Sequence, residues 1–300
     1  IGLAGGYHGE TVGALAVTDI PLFREAYAPL VRLAATVPSP DARQAQPGET
    51  AADVARRAAA ALEQWLQEHH ADTAALIVEP LVQCAAGMAM HDAEYLRLAR
   101  ALCSRYEVHL VVDEIAVGFG RTGTMFAMEG YGVSADITTM AKGLGGGFPI
   151  AALTGKASLM DAANPGGLGG TYAGNPLGIA ASHAVLDVIE EEQLCARANE
   201  LGSRLKQKLE SIRSTTPEIS DIRGPGFMVA VEFANPANKE PDAGFTGRVR
   251  LEALKRGLLL LTCGVYGNVI RFLAPITIPD AHFAEAMAIL EEAVAAARTA

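Results

Sequence analysis

Two short apolar runs, each followed by a charged residue, constrain the fold of this chain more than any other feature. The first run, residues 109–112 (HLVV), leads into Asp113, and the second, residues 137–141 (ITTMA), leads into Lys142. Consecutive apolar and β-branched residues over so short a length are typical of strands buried in a parallel sheet. Ligands bind at the carboxyl ends of such strands, so Asp113 and Lys142 are predicted to lie at a functional edge.

The two charged residues suggest a specific kind of chemistry. Lys142 stands 29 residues after Asp113 and is followed by a glycine-rich turn, residues 143–147 (GLGGG). A Lys amine can form a Schiff base with the carbonyl group of a cofactor, and a carboxylate can pair with a pyridinium nitrogen. The pattern therefore favours an electron-withdrawing cofactor that is bound by both residues.

The elements around these runs predict an α/β fold with a mostly parallel central sheet flanked by helices. Residues 74–78 form another strand-like run, which ends at Glu79. An amphipathic helix over residues 50–70 precedes it, with Thr50 as its N-cap, and a helix over residues 92–106 follows it. Strands that alternate with helices in this way build parallel sheets.

The pattern changes after the middle of the chain. A long helical pattern covers residues 177–214, and shorter strand-like and helical segments follow it. The strand-like segments are residues 227–233, 258–262 and 269–273, and the helical segments are residues 245–256 and 280–298. We expect a large domain at residues 1–195 and a smaller C-terminal α+β domain at residues 196–300.

Composition excludes several classes of partner. The net charge is −10, with 34 acidic against 24 basic residues, which disfavours nucleic acid or an anionic membrane as a partner. No apolar run reaches the ~18 residues of a membrane span, and the first residues do not resemble a signal peptide. Four scattered cysteines lack the spacing of a metal site, so we expect reduced thiols, no metal and a cytoplasmic location.

Six motifs, in matching order and spacing, resemble those of the class III aminotransferases. These are pyridoxal 5'-phosphate enzymes of fold type I, so the resemblance implies that fold, that cofactor and transamination. The motifs are Tyr7-His8-Gly9, Glu79-Pro80, Asp113-Glu114-Ile115, Gly120-Arg121-Thr122-Gly123, Lys142-Gly143 and Gly170-Thr171.

The resemblance assigns roles to the residues around the cofactor ring. Lys142 would hold the cofactor as a Schiff base and then act as the base that moves a proton between the substrate carbon and the cofactor. Asp113 would keep the ring nitrogen protonated, so that the ring accepts electrons. Tyr7 would stack on one face of the ring and contact substrate, while Ile115 would pack on the other face.

The resemblance also implies a phosphate site and a homodimer. Gly170 and Thr171 would bind the cofactor phosphate, and in this family the residue at Thr171 usually reaches the phosphate of the neighbouring subunit. The chain begins at Ile1 in the middle of a pattern, and it lacks the glycine-serine loop and the N-terminal arm of the family. We therefore expect that the start of the large domain is missing.

The two halves of the chain resemble different family members. Residues 7–119 are similar to the diaminopelargonic acid aminotransferase of biotin synthesis, and the part from Gly123 onward is similar to 4-aminobutyrate aminotransferase. In the second group, an Arg at the position of Arg271 binds the α-carboxylate of glutamate. A Glu that moves this Arg is replaced by Ala85, and a nearby Gln is replaced by Ala116.

The resemblance leads to one principal function and three alternatives. The chain would transfer an amino group from a terminal amine to a keto acid such as 2-oxoglutarate, as 4-aminobutyrate aminotransferase does. The first alternative is the biotin-pathway enzyme, which takes its amine from S-adenosylmethionine. The second is an aminomutase or racemase with the same Lys and Asp, and the third is an inactive truncated protein that dimerises.

Overall fold

The computed structural model describes residues 1–167 and 169–299, so Leu168 of the glycine cluster before Thr171 lies outside the described residues. The helices are α1 (Val12–Val17), α2 (Pro21–Arg24), α3 (Ala51–His69), α4 (Ala93–Arg105), α5 (Ala157–Met160), α6 (Pro176–Glu191), α7 (Leu194–Arg213), α8 (Ala243–Lys255) and α9 (Asp280–Thr299). The strands are β1 (Gly2–Leu3), β2 (Thr36–Val37), β3 (Ala75–Val78), β4 (Val82–Gln83), β5 (Ala89–Met90), β6 (His109–Asp113), β7 (Ile137–Met140), β8 (Ala152–Gly155), β9 (Ile219–Arg223), β10 (Val229–Phe233), β11 (Leu261–Cys263) and β12 (Val269–Phe272).

The chain divides into two compact units. The first unit comprises Ile1–Gln83, Ala89–Phe119 and Met125–Glu192. The second comprises Cys84–Met88, Gly120–Thr124 and Gln193–Ala300, so two short loops from the first half of the chain belong to it. The domain boundary expected after residue 195 stays a prediction.

The first unit is built on a four-stranded sheet in the order β3-β6-β7-β8. Strands β3, β6 and β7 are parallel, and β8 runs antiparallel to β7. Helices α3 and α4 pack on one face, where Leu62, Leu66, Leu110 and Val112 are fully buried. This arrangement confirms the prediction of an α/β fold with a mostly parallel central sheet.

Helix α3 begins where its sequence predicts, because Thr50 and Asp53 form a capping box. The Oγ1 atom of Thr50 accepts the Asp53 N–H at 3.2 Å, and the Oδ2 atom of Asp53 accepts the Thr50 N–H at 2.9 Å. These bonds satisfy backbone donors that a helix N-terminus leaves without partners. The predicted helix over residues 50–70 and the strand that follows it are both confirmed.

A buried carboxylate joins the amino ends of the central strands. Asp136 precedes β7 and accepts hydrogen bonds from Arg100, from Lys156 and from the backbone N–H of Leu110 in β6. Burial raises the pKa of Asp136, but these hydrogen bonds outweigh burial and hold the pKa below its usual range. Asp136 thus links α4, β6 and the residue after β8 at the amino ends of the parallel strands, opposite the carboxyl edge where Asp113 and Lys142 lie.

The second unit contains an antiparallel sheet in the order β11-β12-β10-β9, together with α7, α8 and α9. Arg121 ties the loop of residues 120–124 into this unit, because its Nη1 atom donates to the carbonyl oxygens of Phe227 at 3.1 Å and Ala274 at 2.8 Å. Burial lowers the pKa of Arg121 to about 10. Both acceptors are neutral backbone carbonyls, so the guanidinium of Arg121 serves to hold the loop in place.

The long helical pattern predicted over residues 177–214 is interrupted near its middle. The chain forms α6 and α7 instead, with Gln193 between them at φ 52°, in the left-handed region. A residue in that conformation cannot continue a right-handed helix. The predicted strand over residues 258–262 also differs, since β11 spans only Leu261–Cys263.

Across residues 1–167 and 169–299, no helix combines the length and apolar character that crossing a membrane requires.

Candidate active site

The parallel strands β6 and β7 bring Asp113 and Lys142 to the same edge of the sheet. Asp113 is the last residue of β6, and Lys142 follows the end of β7 by two residues. Asp113 lies opposite Thr139 in the register of the two strands. The Asp113 side chain is buried, whereas Lys142 is exposed, so the carboxylate is held by protein and the amine is free to meet a ligand.

The backbone at Lys142 is strained. Its φ angle is 44°, in the left-handed region that costs a non-glycine residue roughly 1 kcal/mol or more. The next residue, Gly143, has no room for a side chain, because a Cβ there would lie 2.8 Å from the Cβ of Phe119. The glycine allows the close turn, and the turn holds Lys142 in a conformation that is found mainly at functional sites.

Asp113 contacts His8, a residue that the sequence interpretation did not assign to the site. The Oδ2 atom of Asp113 lies 2.8 Å from the Nδ1 atom of His8, and its Oδ1 atom accepts the Ile115 N–H at 3.0 Å. The side chains of His8 and Asp113 are 3% and 5% exposed, so this pair is almost free of water. Burial makes such a polar contact costly to break.

A second carboxylate holds the residue that precedes His8. The backbone N–H of Tyr7 donates to the Oε2 atom of the buried Glu79 at 3.0 Å. The Tyr7 hydroxyl donates to Glu10 at 3.0 Å, and its ring lies 4.9 Å from the Phe23 ring. Burial and the hydrogen bond to Glu10 raise the pKa of Tyr7 above its usual value.

Two buried polar atoms beside Asp113 have no hydrogen-bond partner among the described residues. They are the Nε2 atom of His8 and the Oγ1 atom of Thr139, which lies opposite Asp113 in the strand register. Buried polar atoms without partners are uncommon, and a bound ligand is one explanation for them. Each carboxylate oxygen of Asp113 also has a further lone pair, so it can accept an N–H from a ring nitrogen. The residues present therefore fit pyridoxal 5'-phosphate.

Glu114, the second acid of the Asp113-Glu114 pair, is fully buried and faces the backbone. Its two carboxylate oxygens accept the N–H groups of Ala127 at 2.9 Å and Met128 at 3.0 Å. Burial raises the pKa of Glu114 to about 7, although the two hydrogen bonds oppose the shift. The side chain anchors the segment at residues 127–128. With this pKa, the carboxyl group of Glu114 gains or loses its proton near neutral pH.

The other site residues predicted from sequence lie in less enclosed positions. Ile115 is half-buried next to Asp113, while Gly170 and Thr171 are exposed in the segment before α6.

Arg271 belongs to the second unit, on β12, and lines a mainly apolar cavity of about 210 Å³ in that unit. Its Nε atom is buried and has no acceptor among the described residues.

The chain matches a known family over nearly all of its length. The family described as Aminotransferase class-III matches residues 1–294. The chain belongs to the class-III aminotransferases. The predictions of that family, of fold type I and of pyridoxal 5'-phosphate as the cofactor are confirmed.

The relatives of this class-III chain include two enzymes that act on terminal amines, according to their names. The chain is 42% identical, over 98% of its length, to the 5-aminovalerate aminotransferase DavT of Pseudomonas putida, and it covers 68% of that protein. It is 46% identical, over 74% of its length, to the 4-aminobutyrate aminotransferase GabT of Escherichia coli, and it covers 52% of that protein. These comparisons do not favour the biotin-pathway enzyme, an aminomutase or an inactive protein.

The solved structures that resemble the class-III chain are transaminases. An omega transaminase from Pseudomonas jessenii, in complex with PMP, has a TM-score of 0.90 and 27% identity, covering 99% of this chain and 68% of its own. A transaminase obtained by ancestral reconstruction has a TM-score of 0.88 and 27% identity, also covering 68% of its own chain. The match extends over both units.

Proposed function

We propose that this chain transfers an amino group from the terminal amine of an ω-amino acid to a keto acid such as 2-oxoglutarate. The observation that carries the proposal is the 42% identity to a 5-aminovalerate aminotransferase across 98% of the chain. The named substrates of the relatives, 5-aminovalerate and 4-aminobutyrate, are therefore the donors that we propose first.

Asp113 would hold the ring nitrogen of the cofactor, and His8 would support Asp113. When bound, pyridoxal 5'-phosphate withdraws electrons from the substrate carbon, and it does so best with a protonated ring nitrogen. Asp113 would accept the N–H of that nitrogen and stabilise its proton, since a buried carboxylate favours a cationic partner. His8, at 2.8 Å, would orient the carboxylate.

Lys142 would hold the cofactor through its amine and then carry a proton. Its side chain is exposed at the same sheet edge as Asp113. The Nζ atom of Lys142 would take the proton that leaves the substrate carbon and return it at a neighbouring atom. The left-handed turn that ends in Gly143 would limit the directions in which this side chain points.

Tyr7, Ile115, Gly170 and Thr171 are proposed as further contacts of the cofactor. Tyr7 and Ile115 would enclose the two ring faces, and Gly170 and Thr171 would donate hydrogen bonds to phosphate. Thr171 is exposed in the chain, as expected for a residue that serves a neighbouring subunit, so a homodimer is part of the proposal. A cytoplasmic location stays a prediction, which cell fractionation would test.

Arg271 is proposed as the residue that binds a substrate carboxylate. A guanidinium forms two parallel hydrogen bonds with a carboxylate, and the Nε atom of Arg271 has no acceptor among the described residues. The replacement of the family Glu by Ala85 leaves Arg271 without that switching partner. We therefore propose relaxed selectivity among ω-amino acids rather than strict use of 4-aminobutyrate.

The test combines covalent labelling of the cofactor-binding lysine with an assay of amino transfer. The purified chain is mixed with pyridoxal 5'-phosphate, reduced with borohydride and digested, and the modified residue is located by mass spectrometry. We expect the label on Lys142 and the formation of glutamate from 5-aminovalerate and 2-oxoglutarate. Labelling without amino transfer would overturn the proposed reaction, and a label spread over exposed lysines would overturn the site.

A further inference from the structure

A strained turn at the end of β3 carries one of the acids of the candidate site. The turn is Glu79-Pro80-Leu81, and Leu81 has φ 65°, in the left-handed region. The Val82 N–H donates to the Pro80 carbonyl oxygen at 2.8 Å, which leaves the carbonyl groups of Glu79 and Leu81 to be satisfied by other residues. A strained conformation persists only when its surroundings hold it in place.

His91 forms hydrogen bonds with this turn at two points. Its ring Nε2 atom lies 3.0 Å from the carbonyl oxygen of Glu79, and its backbone N–H donates to the carbonyl oxygen of Leu81 at 3.0 Å. The residue is only 6% exposed. The two bonds span the turn, so one residue satisfies both of its outer carbonyl groups.

The ring of His91 can donate a hydrogen bond from Nε2 to the Glu79 carbonyl oxygen. Burial lowers the pKa of His91, so the ring is neutral near pH 7 and carries one N–H. The Nε2 atom lies 3.0 Å from the Glu79 oxygen, whereas the Nδ1 atom lies 3.4 Å from the carbonyl oxygen of Asp92. The shorter contact assigns the proton to Nε2.

The turn is connected to the candidate site by a chain of hydrogen bonds. The Glu79 carboxylate accepts the Tyr7 N–H at 3.0 Å, and the next residue, His8, lies 2.8 Å from Asp113. A rotation of Glu79 would move the backbone at Tyr7 and therefore the ring of His8. The order of contacts is thus His91, Glu79, the Tyr7-His8 backbone and Asp113.

We propose that His91 is a positioning residue, which holds the turn at residues 79–81 and through Glu79 sets the placement of Tyr7 and of the His8–Asp113 pair. The inference rests on the proposed function, because it assigns His91 to the same site. Glu79 lies between His91 and Tyr7, which is proposed to meet the cofactor. His91 would therefore affect the positions of these residues and would take no part in the reaction itself.

The test compares two substitutions of His91 with a core control. His91→Leu removes the ring donor, while His91→Gln keeps an amide N–H at a similar distance from the Cβ atom. Cys103→Ala is the control, because Cys103 is fully buried on α4, away from the turn, and its loss lowers stability by packing alone. Melting temperatures of all variants show whether the stability losses are comparable.

Two measurements are made on each variant. The first is hydrogen exchange, without cofactor, of the peptide that contains Tyr7, whose N–H is bonded to Glu79. We expect roughly tenfold faster exchange in His91→Leu than in the wild type, and little change in His91→Gln or Cys103→Ala. The second is the dissociation constant for pyridoxal 5'-phosphate, which should rise about tenfold in His91→Leu alone.

The results separate this inference from the proposed function. Equal acceleration of exchange in His91→Leu and Cys103→Ala, or none in His91→Leu, would overturn the inference. Accelerated exchange with an unchanged dissociation constant would also overturn it, because the turn would then have no influence on the site. A wild-type chain that binds no cofactor would count against the proposed function, while the exchange data would still decide the role of His91.

Discussion

The Nδ1 atom of His8 lies 2.8 Å from the Oδ2 atom of Asp113, although 105 residues separate the two along the chain. Both side chains are buried, so the contact is made in surroundings of low dielectric constant, where it is strong and costly to lose. It orients the carboxylate that is proposed to hold the ring nitrogen. The site of this class-III chain thus depends on residues that come from separate strands and loops.

His8→Leu should destabilise the fold and weaken cofactor binding. In the part of the chain that the structure describes, the substitution leaves the Ile115 N–H as the remaining hydrogen-bond donor to the Asp113 carboxylate. We expect a loss of about 2 kcal/mol in the free energy of unfolding. Urea unfolding measures this loss. His8→Asn, which keeps a donor near the Nδ1 position, should recover part of it. His282→Leu, at an exposed position on α9, is the control, and an equal loss there would contradict the prediction.

Lys142 should be dispensable for folding but required for covalent attachment of the cofactor. Lys142→Ala should abolish borohydride labelling, whereas Lys255→Ala, at an exposed position, should leave it intact. Because Lys142 has φ 44°, Lys142→Gly should be more stable than Lys142→Ala by up to about 1 kcal/mol. Thermal unfolding compares the two variants. An alanine variant that equals or exceeds the glycine variant in stability would contradict the strained turn.

Glu114 should make the stability depend on pH near neutrality. Burial raises its pKa from 4.5 to about 7, so between these values the folded state retains a proton that the unfolded state has released. The free energy of unfolding should therefore fall as pH rises through this window, by about 3 kcal/mol at most. Unfolding at pH 5, 6, 7 and 8 measures the slope.

The matched variants for this slope are Glu114→Gln and Glu285→Gln. Glu114→Gln cannot ionise, so its stability should depend less on pH than that of the wild type. It also loses one acceptor for the Ala127 and Met128 N–H groups, which should lower its stability at pH 5. Glu285→Gln, at an exposed position on α9, should keep the wild-type slope. An unchanged slope in Glu114→Gln would show that Glu114 is not the titrating group.

Two glycines in helices of the second unit should respond to alanine in opposite ways. A Cβ at Gly202, on α7, would lie 1.7 Å from the carbonyl oxygen of Gly226, so Gly202→Ala should destabilise the fold by about 2 kcal/mol or more. A Cβ at Gly247, on α8, would meet no atom of the described residues within 4 Å, so Gly247→Ala should stabilise the fold by up to about 1 kcal/mol. Denaturant unfolding of both variants checks the signs, and a destabilised Gly247→Ala would contradict the open space there.

Arg271→Ala should change the choice of amino acceptor. If Arg271 binds a carboxylate in two parallel hydrogen bonds, its removal should lower kcat/KM for 2-oxoglutarate roughly a hundredfold and that for a monocarboxylic keto acid much less. Steady-state kinetics with both acceptors measures the ratio. Arg271→Lys keeps the charge but not the paired geometry, so it should restore little. Equal losses for both acceptors would remove Arg271 from carboxylate binding.

The central strands were predictable because their signals are local. Residues 109–112 are apolar and β-branched, and the Thr50–Asp53 capping box marks the start of α3 in the sequence itself. The break between α6 and α7 was not predicted. Gln193 has no side-chain property that requires a left-handed backbone, so no local signal in the sequence marks the break.

The placement of Asp113 and Lys142 at one sheet edge was predictable in the same way, since parallel strands end together. His8 could have been suspected from its place beside Tyr7, but a histidine next to glycine is common in ordinary loops. His91 had no local signal at all. Its contact with the Glu79 carbonyl oxygen exists only because the chain folds back on the turn at residues 79–81.

By itself, the sequence determined the family, the alternation of strands and helices, and the identity of the Lys and Asp at the strand ends. The alternation of elements follows from side-chain periodicity, which acts over a few residues at a time, and the family follows from motifs that resemble those of known proteins. The tertiary structure alone decided which groups orient Asp113, which turn is strained and which acid is buried with a raised pKa. Those properties depend on desolvation and on contacts between distant segments, which arise only when the chain has folded.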